Sequence, residues 1–67
     1  MNKEMLRSIM VLNGETNADL ANLLNISEAS VSAKMNENKS EFKQGEIALI
    51  RKHYSLTDKQ IADIFFA

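Results

Sequence analysis

Between Leu24 and Glu28 stand only Asn25, Ile26 and Ser27, and on either side of them the sequence reads as helix. Before the break, Leu20, Leu23 and Leu24 form an apolar stripe at helical spacing, with Ala21 as a small neighbour. After it, Ser27 is placed to cap a new helix in which Val31 and Met35 fall one turn apart. A connection this short sends the second helix steeply across the first and leaves one of its faces outside. The tight turn requires a residue at positive φ, and asparagine follows glycine in tolerance for that region. Asn25 meets the requirement, Ala21 permits a close crossing, and Leu20, Leu24, Ile26 and Val31 fill the wedge. These are the physical requirements of a helix-turn-helix, whose second helix enters the DNA major groove.

The remainder also reads as helix. The chain has 67 residues, no proline and two glycines, Gly14 and Gly45. Met5, Ile9 and Leu12 fall at helical spacing, with Leu6 and Met10 beside them, predicting a first helix over residues 2–13 that stops at Gly14. Thr16, with Asp19 three positions on, predicts the start of the second. Residues 36–41 are polar and read as loop. Phe42 anchors the chain before a fourth helix carrying Ile47, Ile50 and Tyr54, and Leu56 points inward. Thr57-Asp58-Lys59-Gln60 has capping-box form ahead of a last helix with Ile61, Ile64 and Phe65. The expectation is a compact all-α, five-helix single domain spanning residues 1–67.

Composition narrows the functional classes. There is no cysteine and a single histidine, His53, so no disulfide, thiolate site or metal cluster is expected, and no cofactor. His53 reads as a partly exposed residue near a helix end. No apolar run approaches membrane-spanning length and no signal-peptide pattern opens the chain, which predicts a soluble, cytoplasmic protein. No arrangement of nucleophile, base and oxyanion donors is visible, so no enzyme is expected. The formal net charge is −1, against the usual basic character of nucleic-acid-binding domains. Only residues 34–43 carry a basic excess, with Lys34, Lys39 and Lys43 against Glu37 and Glu41.

TNADLANLLNISEASVSAKMN resembles the helix-turn-helix of lambda-repressor-like (Cro/C1-type, XRE) domains. Thr16, Leu20, Ala21, Leu24, Ile26, Ser27, Val31 and Ser32 match that pattern, and Asn25 stands at the usual glycine. NKSEFKQGEI and LTDKQIADIFF resemble the loop and last two helices of small phage regulators of the family. Two further positions depart from it: Asn17 replaces the usual glutamine, and Lys34 stands where an apolar residue is common, with Met35 taking the core role. The resemblance implies a sequence-specific DNA-binding transcriptional regulator, a phage Cro-like repressor acting by operator occupancy. It implies that the start of the third helix reads bases, here through Glu28, Ala29, Ser32 and Ala33.

Phosphate contacts are expected from Thr16 and Asn17 at the second helix N-terminus, and from Ser30, Lys34, Asn36, Lys39, Ser40 and Lys43. So few cations predict weak binding by one copy and hence a homodimer on DNA. Its candidate interface is Tyr54, Leu56, Phe65 and Phe66, where the adjacent phenylalanines cannot both face one core. A rival reading is an antirepressor-like interaction module that binds another phage regulator; the net negative charge and the alanines of the third helix favour it.

Overall fold

Five helices succeed one another in the computed structural model, which describes residues 1–36 and 40–66: α1 (Lys3–Leu12), α2 (Asn17–Leu24), α3 (Glu28–Met35), α4 (Gln44–Tyr54) and α5 (Asp58–Phe65). Among the described residues there is no strand.

Three of the four connections use one device. Gly14 (φ 68°), Asn25 (φ 56°) and Ser55 (φ 54°) each hold the left-handed conformation at the end of a helix. In each case the left-handed residue's N–H bonds back three residues: Gly14 to Val11 at 2.9 Å, Asn25 to Asn22 at 3.3 Å, Ser55 to Lys52 at 3.4 Å. The next N–H reaches back five: Glu15 to Met10 at 2.9 Å, Ile26 to Ala21 at 3.0 Å, Leu56 to Arg51 at 2.9 Å. This is the Schellman stop, which satisfies carbonyls that the helix end leaves without partners. The residue after it is Thr16, Ser27 or Thr57, and a new helix begins at once. The caps are well formed. The Asp19 carboxylate accepts from the Thr16 N–H at 2.8 Å, Ser27 Oγ accepts from the Ser30 N–H at 3.1 Å, and Thr57 and Gln60 exchange bonds at 3.1 and 2.8 Å.

The helices enclose one apolar cluster. α1 contributes Leu6 and Met10, α2 Leu20, Ala21 and Leu24, α3 Val31 and Met35, and α4 and α5 Ile50, Ile61 and Ile64, with Phe42 and Leu56 from the connections. α2 packs on α3 and α4, while α1 packs on α5, where the Asn2 N–H donates to the Ile64 carbonyl at 2.6 Å. The radius of gyration is 10.7 Å, close to the roughly 11 Å of a compact chain this long.

The stripe of α1 differs from its sequence-based reading. Leu6 and Met10 are its fully inward residues, Met5 and Ile9 flank them half-buried, and Leu12 is 86% exposed. Leu12 is the last residue of α1, and the next turn of the stripe falls on the Asn13-Gly14 stop, so no neighbouring helix covers it.

The left-handed corners make a prediction of opposite signs in one assay. Ser55 lacks the tolerance of glycine, so Ser55→Gly is expected to raise unfolding stability by about 0.5–1 kcal/mol. Asn25→Val is expected to lower it by about 1–2 kcal/mol, because a β-branched residue is least compatible with that region. Urea midpoints of the two variants and the parent protein check both.

Candidate nucleic-acid interface

α3 is held from below and open above. Val31 and Met35 are buried, while Glu28, Ala29 and Ser32 are exposed and Ala33 is half-buried. Ala29, Ser32 and Ala33 lie on the side away from the core, whereas Glu28, about 60° around the axis from Val31, is open because it begins the helix. The face is shallow: two methyl groups, one hydroxymethyl group and a single carboxylate at the helix start.

Around this face the expected phosphate contacts divide. Thr16 is exposed at the α2 start, but its hydroxyl already donates to Asp19 at 3.2 Å, and Asn17 beside it is half-buried. Ser30 is half-buried and its hydroxyl accepts from Ser27 Oγ at 3.0 Å, inside the cap. Asn36 is the exposed C-cap of α3, Ser40 is half-buried, and Lys43 is exposed at the start of α4. Lys39 lies outside the described residues.

Lys34 is a correction. Its side chain is only 11% exposed and its Nζ sits 2.8 Å from Glu46 Oε1, itself 12% exposed, with the Glu41 carbonyl at 3.4 Å. An ammonium turned inward and paired with a carboxylate is not presented to a phosphate. The same Glu46 oxygen accepts the Lys43 N–H at 2.8 Å. Burial by itself raises the Glu46 pKa. The Lys34 hydrogen bond, the Lys43 N–H and the two lysine charges together outweigh it and hold the carboxyl below its ordinary value.

Other cations are also engaged. Arg51 pairs with Asp58, and Lys59 with Asp63 one turn along α5. Among the described residues Arg7, Lys43 and Lys52 are the exposed lysines and arginines outside any ion pair or side-chain hydrogen bond. Lys3, absent from the sequence-based set, donates to Asn36 Oδ1 at 3.3 Å and so lies at the end of α3. Arg7 stands one turn further along α1. The i, i+4 spacing of Lys3 and Arg7 is visible in the sequence, but the neighbour of Lys3 across 33 residues is not.

The candidate dimer face also changes. Leu56 is buried, Phe65 packs edge-on against Phe42 at 5.8 Å, and Tyr54 is half-buried with its hydroxyl enclosed. Burial first, then the neighbouring Glu15 carboxylate and the charge of Asp19, push the Tyr54 phenol above its ordinary pKa. Leu56 belongs to the chain's own core, Tyr54 and Phe65 are half-buried against that core, and of the four only Phe66 is open, at 69%. His53, in the last turn of α4, holds Glu15 through Nε2 at 2.9 and 3.1 Å and thereby ties the α1–α2 corner to α4.

No three His, Asp or Glu side chains among the described residues are grouped to hold a metal, and no helix there is long and apolar enough to cross a membrane. No family model matches the chain, and no curated protein or solved structure matches it either.

The depressed Glu46 pKa sets a direction with pH. A carboxylate more acidic folded than unfolded contributes stability above its unfolded value, near pH 4.5, and loses it as pH falls through the folded value. Glu46→Gln is therefore expected to cost about 1–3 kcal/mol at pH 7. It is also expected to flatten the decline in stability below pH 4.5, read as urea midpoints from pH 7 to pH 3.

Proposed function

We propose that the chain is a lambda-repressor-like helix-turn-helix regulator that binds duplex DNA through α3 and acts by occupying an operator. The observation that carries this reading is the outer face of α3, set across α2 by the left-handed Asn25. The tight corner alone does not distinguish it, because α4 and α5 share the same corner at Ser55. The difference lies in the second helix of each pair. α5 carries Asp58, Lys59 and Asp63, two of them joined as an i, i+4 pair, whereas α3 presents Ala29, Ser32 and Ala33 behind Glu28. Short side chains let a helix backbone sit deep in a major groove.

In this reading Glu28 accepts from a cytosine amino group, Ala29 and Ala33 meet thymine methyls, and Ser32 bonds either kind of base edge. Phosphate contacts come from Asn17 and Thr16 at the α2 N-terminus, from Lys43 and Ser40, from Lys39, and from Asn36 with Lys3 beside it. Two copies on a two-fold site would place their α3 helices about 34 Å apart and double a small set of cationic contacts. Bound protein then obstructs polymerase at an overlapping promoter.

A second reading, a module that binds another regulator, is favoured by one observation. Val11, Leu12 and Leu49 are exposed on the described surface. Salt separates the two readings, because phosphate contacts release counterions and apolar docking does not.

Selection from a randomised duplex pool at two salt concentrations tests the proposal. A near-palindromic site should be enriched, and more weakly at the higher salt. Lys43→Ala should reduce affinity uniformly across sequences and lower the salt slope by about 1, while Ala33→Glu should abolish selection. A folded sample that enriches nothing at either salt rejects DNA and moves the function to the protein partner.

A further inference from the structure

Only three side chains of α3 are buried: Val31, Lys34 and Met35. At about 100° per residue, Met35 lies roughly 40° around the axis from Val31, one turn further along. Two apolar anchors so nearly in line resist sliding of the helix but resist rolling poorly. Lys34 lies about 60° from Val31 on the opposite side and about 100° from Met35. Its ammonium is fixed at 2.8 Å to Glu46, and that carboxylate oxygen is fixed in turn by the Lys43 N–H at the start of α4.

We propose that the Lys34–Glu46 pair is a positioning device that sets the roll of α3, and with it which residues of the helix face the bases. The second half of this statement rests on the DNA-binding reading above; the first does not. Roll in one direction brings Glu28 and Ser32 to the front, and roll in the other brings Ala33 and Ser30. The pair is suited to the task because both ends are anchored. Glu46 sits in the first turn of α4, which carries the buried Ile50 one turn on, and Lys34 extends from the last turn of α3. A hydrophobic residue at 34 would still fill space, but it would lack a fixed acceptor and a preferred direction. Buried ion pairs commonly contribute little net stability compared with apolar replacements, so selection of one register among several is the role left to this pair.

The test uses two variants. K34M/E46Q removes both charges, while the glutamine oxygen still caps the Lys43 N–H; K34R keeps a cation able to reach Glu46. Backbone residual dipolar couplings of the free protein report the orientation of α3 against α2. In K34M/E46Q the α3 couplings are expected to depart from the α2 frame while circular dichroism retains the helix content, and K34R is expected to keep the parent set. In duplex selection the double variant should favour different bases under α3. Its discrimination between the best site and random duplex should fall about tenfold, with the salt slope unchanged.

Unaltered α3 couplings in the double variant overturn the proposal. So does a salt slope lowered by about 1, the signature of a lysine on a phosphate. If the parent protein enriches no duplex, the DNA reading fails, and the couplings by themselves still accept or reject the pair as the device that sets the roll.

Discussion

The architecture depends on a backbone conformation that most residues avoid. Gly14, Asn25 and Ser55 reverse the sign of φ, and each reversal lets two backbone N–H groups bond back to carbonyls of the finished helix. The helix end is thereby satisfied without water or a long connection, and Thr or Ser two residues later opens the next helix. A chain of 67 residues without cysteine has a small core, and short corners let short helices present apolar residues to one cluster. Longer loops would place fewer of those residues within reach of one another. Each stop also orients the helix after it. Ile26 and Leu56 come directly after their left-handed residues and pack against or within the core, so the corner serves as an anchor as well as a turn.

This device explains why α3 is prominent, and the residues of α3 decide how it is held against its neighbours. A helix of 8 residues with two buried apolar side chains has little hydrophobic area with which to fix its orientation. The rest of its hold is polar: the Lys34–Glu46 pair at one edge and Lys3 on Asn36 at its end. Small or short residues on the outer face and scarcity of apolar residues on the inner face are two consequences of one composition. A helix intended for burial would carry leucines where this one carries alanines. The polar supports compensate for the anchors that the sequence of α3 omits.

How far the sequence reveals this depends on the range of the interaction. Local signals are legible: the five expected helices are present, α1 lies within one residue of its expected limits at each end, and Asn25, Ser27 and the Thr57–Gln60 cap act through partners within a few residues. Ser55 escapes such a reading because serine gives no local sign of positive φ; the sign lies in the pattern of an inward Leu56 followed by a capping Thr57, which repeats Asn25-Ile26-Ser27. Leu12 reads as core because it has the correct spacing, and spacing does not reveal where a helix stops being covered. Lys34 and Leu56 fail for a related reason. Charge alone assigns Lys34 to the surface, yet its acceptor is 12 residues away, and Leu56 reads both as inward and as interface, of which packing selects the first. Periodicity identifies which residues share a face, but only tertiary contacts identify what that face meets.

The same distinction bears on the charge that argues against DNA. A formal charge of −1 counts every lysine and arginine equally, although Lys34, Arg51 and Lys59 are already matched by Glu46, Asp58 and Asp63. Cancelling these pairs removes equal numbers from both sides and leaves the sum unchanged, yet it changes which charges remain to be met from outside. Arg7, Lys43 and Lys52 are free on the described surface, Lys3 is joined to a neutral amide at the end of α3, and the remaining carboxylates include Asp19 and Glu15, each bonded inside the chain. Electrostatic attraction to a polyanion falls off within about 10 Å at moderate salt, so nearby unpaired cations matter more than the total. A near-neutral protein with a few such groups has weak non-specific attraction, and the proposed operator contact then relies on the fit of α3 and on pairing of copies. That places the burden of recognition on the orientation of a single short helix.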